Sequence, residues 1–144
     1  MGPLSRGQFY SAPRFHTFSG VGTYSDPEFS WFSPVAVTAI HFARGTGMGV
    51  QYLHNCFVGD GNNGRLYRFP LNLNRDGFVL TGSLADLVLD PGDPNSQILF
   101  GQGFISISDI RTGPDGALYV NSLFGNQIYR IAANAAVGEW TLHE

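Results

Sequence analysis

The chain repeats itself. Laying Tyr67 on Tyr129 brings Phe57 onto Tyr119, Val58 onto Val120, Leu66 onto Ile128, Arg68 onto Arg130 and Phe69 onto Ile131. The upstream segments follow, 38–40 onto 108–110, once the first copy is given a longer loop over 43–55. Each copy reads as strand, turn, strand, Gly/Asn turn, strand. A β-meander that returns every ~40–50 residues, with its extra length in loops, is the pattern of propeller blades. A β-sandwich also has short strands and regular turns, but it gives no reason for one Val-to-Tyr-Arg register to recur.

Local chemistry agrees with strands. Residues 35–42 are β-branched and aromatic, 55–59 are short and apolar, and 65–69 alternate Leu66 and Arg68 against Arg65, Tyr67 and Phe69. The turn between the last two, 60–64, is Asp-Gly-Asn-Asn-Gly, residues that tolerate positive φ. After a turn at 72–76, residues 77–81 read as a further strand. A short helical turn capped by Ser83 is expected over 83–89, ended by the prolines at 91 and 94. Residues 98–100 are extended, 105–110 alternate at period two, and 113–116 put Pro and Asp at the centre of a type I turn with Gly last. Strands at 117–121 and 127–131 follow, and only 132–137 has helical composition.

A length of 144 residues is one domain's worth, and 14% aromatic residues with a net charge of −3 exclude a disordered chain. A closed propeller needs at least ~4 blades, and two copies with part of a third cannot close alone. The expected fold is therefore all-β: about two to three four-stranded antiparallel meanders forming an incomplete propeller. Its domain spans 24–144, with repeats at about 35–81 and 98–142, after an irregular or extraneous segment at 1–23. That opening lacks an apolar core of the secretory type, so no signal peptide is visible.

Composition removes several functions. All eight basic residues are Arg, so neither Schiff-base lysine chemistry nor a Walker lysine is available. They are scattered from Arg6 to Arg130 without forming a stripe, which argues against a nucleic-acid partner. The single cysteine, Cys56, lies in an apolar run and reads as a buried small hydrophobe. No stretch approaches the ~20 apolar residues of a membrane-spanning helix.

The succession YSDPEFSW at 24–31, TAIHF at 38–42, FVGD at 57–60, GRLYRF at 64–69, GSLAD at 82–86 and GPDGALYV at 113–120 resembles the C-terminal part of quinoprotein sugar dehydrogenases of the glucose/sorbosone dehydrogenase type. The resemblance covers about 24–131. It implies a six-bladed propeller, usually exported, that binds pyrroloquinoline quinone (PQQ) and calcium and oxidises the anomeric carbon of sugars. An extracytoplasmic location would follow from it. The family's catalytic His and calcium site lie upstream of the matched region, so it implies no catalytic residue and no metal ligand here. Two arginines of the quinone-binding members are replaced by Ser106 and Ser108, and the lysine expected around 60–63 is missing. Trp31 and Thr38 fall where cofactor-facing residues would stand. An anionic quinone would lose most of its compensating charge, and no cofactor is expected for this chain.

Other candidates read as architecture. His41 follows an apolar strand residue and reads as a half-buried sheet residue; His16, His54 and His143 read as solvated, and none has a sequence-paired carboxylate to orient it. Asp60 with Asn62 and Asn63, and Asp90 with Asp93 and Asn95, could offer oxygens to a hard cation, but both read as turns. Tyr67 with Arg68 and Tyr129 with Arg130 are equivalent repeat positions, and each Arg is expected to pair with a neighbouring blade's carboxylate or carbonyl. Asp109 is expected to bond backbone N–H groups across blades, and Asp115 those of its own turn. Function then divides two ways. The chain is a non-catalytic propeller fragment lacking its other blades, or a self-assembling module that binds a protein or carbohydrate partner.

Overall fold

A computed structural model describes residues 27–133. The segment at 1–23, His16, His143 and most of the stretch at 132–137 lie outside the described residues. Among the described residues nine strands occur in chain order: β1 (Ser30–Trp31), β2 (Val37–Phe42), β3 (Cys56–Asp60), β4 (Arg65–Phe69), β5 (Val88–Leu89), β6 (Leu99–Gln102), β7 (Ile107–Thr112), β8 (Leu118–Ser122) and β9 (Gln127–Ile131). No α-helix occurs among the described residues, and the sheets of three and four strands are antiparallel.

The chain divides into two compact units. The smaller contains 27–34 and 80–94. There β1 and β5 run parallel, Ser30 beside Val88 and Trp31 beside Leu89, held by Ser30 N donating to Leu87 O at 3.0 Å and Phe32 N to Leu89 O at 3.0 Å. Leu84 and Val88 are fully buried there. The helical turn expected at 83–89 is a 3-10 turn, Gly82–Asp86, and Ser83 lies within it rather than capping it. Asp86 instead closes the turn, its Oδ1 accepting from Val88 N at 3.1 Å, while Leu87 takes φ 64°.

The larger unit contains 35–79 and 95–133. Its first sheet has the order β2-β3-β4-β6 and its second β7-β8-β9. Alternation sends Phe57 and Leu66 to one side of the first sheet, where they are fully buried with Ile107, Ile110, Leu118 and Val120 of the second. Each such side chain contributes roughly 1.5–3 kcal/mol by leaving water. The sheets meet closely at Gly59, where a Cβ would stand 2.4 Å from Ile107 Cγ2. Thr38 Oγ1 crosses the same junction to donate to the Ile107 carbonyl.

Two strands differ from the sequence reading. Residues 77–81 make no strand: Phe78 forms an isolated bridge with Leu71, and the hairpin is tied by Asn72 and Asp76, whose side chains bond at 2.7 Å. The edge of β4 is taken instead by β6, with Arg65 opposite Gln102 and Tyr67 opposite Leu99. Ile98, fully buried, and Phe100, in edge contact with Phe57 at 5.2 Å, anchor β6 there. The extended stretch expected to open the second repeat therefore completes the first sheet, and the second has three strands among the described residues.

Candidate functional site

The repeat positions Arg68 and Arg130 line one concavity of about 420 Å³ in the larger unit, between β4 and β6 on one side and the end of β9 on the other. Arg68 lies in β4 opposite Phe57, between the buried Tyr67 and Phe69. Its guanidinium sits 5.5 Å from the centre of the Tyr52 ring, a cation–π distance. Tyr52 enters from the loop before β3 and meets Phe100 edge-on at 5.4 Å, and Phe104 meets Tyr129 likewise at 5.0 Å. These contacts brace an aromatic wall, and Gln97 and Gln102 add amides to the lining.

The two arginines differ in electrostatics. Arg130 Nε donates to Asp115 Oδ2 at 2.8 Å, and Asp115 also accepts from Tyr119 at 3.2 Å and from Ala117 N at 3.1 Å. The Arg130 hydrogen bond, then that of the Ala117 N–H, holds the Asp115 carboxyl below its ordinary value, and Asp115 raises Arg130 in turn. Arg130 is thus paired within its own sheet rather than with a neighbouring one. Among the described residues, no carboxylate stands within ion-pair distance of Arg68. The concavity thus carries, among the described residues, one positive charge without a carboxylate partner beside aromatic surface.

The remaining sequence candidates separate. Trp31 belongs to the smaller unit and meets Phe29 edge-on at 4.8 Å, while Thr38 belongs to the larger, its hydroxyl engaged with the Ile107 carbonyl. Tyr67 is buried in the first sheet, and Tyr129 bonds Gln127 Oε1 at 2.5 Å. Asp109 accepts from Ile110 N at 2.9 Å and Arg111 Nε at 3.1 Å, both in its own strand, so it bridges no sheets. A register shift between Ile107 and Asp109 sets this local geometry.

Asp60 is fully buried and accepts from Ala36 N at 3.2 Å, Asn62 N at 2.9 Å, Asn63 N at 3.3 Å and Asn63 Nδ2 at 2.8 Å. Its oxygens fasten a turn. No group of three or more His, Cys, Asp or Glu side chains gathers among the described residues. Burial pushes the Cys56 thiol up to about 11, which keeps it protonated and unreactive at neutral pH. His41 is half-buried with Nε2 2.7 Å from Thr112 Oγ1. Burial first, then Arg111 and Arg44, hold it below the ordinary histidine value against the opposing pull of Asp109.

The equivalence of Arg68 and Arg130 was visible in the repeat, but the pocket was not. Tyr52 and Phe100 come from segments with no counterpart in the alignment of the two copies. Comparison with known proteins gives no family, no curated relative and no solved structure that matches this chain.

Proposed function

We propose that the chain is a β-propeller segment, two consecutive blades resembling the C-terminal part of a PQQ-dependent sugar dehydrogenase, and that it works by assembly rather than catalysis. The observation that carries this reading is the stacking of two successive antiparallel meanders with β2 and β3 packed on β7, the first strand of the second sheet. Radial stacking of meanders is how propeller blades bury their faces. The β2 edge of the first sheet supports it too: Ile40 is 61% and Phe42 42% exposed there, although Val58, Tyr67 and Phe69 of the same side are already buried. A second copy supplies the missing cover, and three two-bladed copies close a six-bladed ring with rotational symmetry.

Sedimentation velocity of the full chain across a micromolar series tests this. Assembly into a closed oligomer is expected, and a compact, stable monomer throughout the series overturns the proposal. Supplying calcium, PQQ and glucose is expected to give no dye-linked oxidation, since the reading includes no positioned base. Turnover that persists through stringent purification would contradict it.

A further inference from the structure

We infer that the concavity between β4, β6 and β9 is a binding site for an organic monocarboxylate with a planar apolar body. The inference does not depend on ring closure, because its walls all come from the larger unit of one chain. Three observations carry it. Arg68 presents a planar fork of donors that matches a carboxylate in two parallel hydrogen bonds. The Tyr52 ring, 5.5 Å from the guanidinium, shields that fork on one side and limits its movement, so less freedom is lost when an anion docks. Phe100, half-buried and braced edge-on by Tyr52, offers apolar surface beside it, backed by the buried Phe104.

The charge selects the ligand. Asp115 already pairs with Arg130, so among the described residues the charge of Arg68 is the one in the lining without a carboxylate partner. One positive charge matches a monoanion, whereas a phosphate dianion would carry an unpaired charge into a partly apolar cleft. The volume of about 420 Å³ lies within the range of ordinary small-molecule sites. Gln102, an exposed residue of the lining, supplies an amide for a second polar group on the ligand.

Calorimetric titration of the full chain with naphthoate, naphthamide and naphthyl phosphate tests the inference. Naphthoate is expected to bind about ten-fold tighter than the neutral amide, the effect of one charge-assisted pair. Arg68→Gln should bring the two to equal affinity while amide binding is retained, which also shows that the pocket is intact. Arg65→Gln, outside the lining, should leave the preference unchanged. Equal affinities in the native chain, no binding of either ligand at millimolar concentration, or a carboxylate preference that survives Arg68→Gln overturns the inference. Tighter binding of naphthyl phosphate than of naphthoate overturns the monoanion assignment. If thermal melting shows that Arg68→Gln does not fold, Arg68→Lys replaces it: a point charge without the fork should lose most of the preference, and full retention counts against the site.

Discussion

At the scale of single residues, the repeat predicts position better than partnership. Arg68 and Arg130 occupy matching registers, opposite Phe57 and Tyr119, yet one lies over a ring and the other against a carboxylate. The difference comes from Tyr52 and Asp115, which both stand in the connection between the first two strands of their copy, a connection that is longer in the first copy and differs in sequence. Asp60 was legible as a turn residue, but its complete burial and four donors depend on Ala36, which sequence spacing does not connect to it. His41 gives a prediction in pH. Its folded form titrates below the ordinary value of ~6.5, so the unfolded chain binds the proton more readily. Stability from this group is therefore present above ~pH 6.5 and declines as pH falls through the unfolded value toward the folded one. Thermal melts of the native chain and of His41→Gln between neutral and mildly acidic pH should diverge in that window, the native chain losing more. Parallel curves would show that His41 contributes nothing to the dependence.

At the scale of elements, turns were read well and strand partners less so. Residues 113–116 form the expected turn, Gly116 N donating to Gly113 O at 3.0 Å and Gly113 N to Ala117 O at 2.9 Å. The strand pair after it was legible because its residues are adjacent in the chain. The place of β6 in the first sheet is not legible in the sequence, because its partner β4 precedes it by a long insertion and a four-residue extended run carries no mark of the edge it will join. The putting of residues 77–81 into a strand failed for a related reason: β-propensity cannot tell which of two extended segments will bury its side chains. Gly116 offers a test of the turn. It holds φ 75°, and an added Cβ would stand 2.8 Å from Gly47 N, a backbone atom that cannot swing aside. Gly116→Val should therefore destabilise the chain by at least ~1 kcal/mol from the backbone conformation alone, with the contact adding to it. Chemical denaturation of both proteins measures this, and an unchanged midpoint would show that the turn relaxes freely.

For the molecule as a whole, the sequence showed that meanders recur, and the larger unit shows how two of them stack. On the proposed reading, closure is not encoded locally in a single chain, because the complementary face would belong to another copy. Ring closure makes a specific demand: the front face of one copy must meet the back face of the next, a heterologous contact, rather than two like faces meeting across a two-fold axis. Ile40 lies on the outer side of the first sheet and Ile128, 70% exposed, on the outer side of the second. Ile40→Asp should spoil one face and Ile128→Asp the other, since each places a charge where apolar contact is required. Either variant alone retains one sound face but has no sound partner face of the opposite kind among its copies, so each should sediment as a monomer. Mixed in equal amounts, the two variants still possess one good front and one good back between them, and should form a dimer that cannot extend. A two-fold contact gives a different pattern, because the variant whose damaged face lies outside that contact would dimerise by itself. Sedimentation of the two variants singly and mixed separates these geometries, and self-dimerisation of either would overturn the ring.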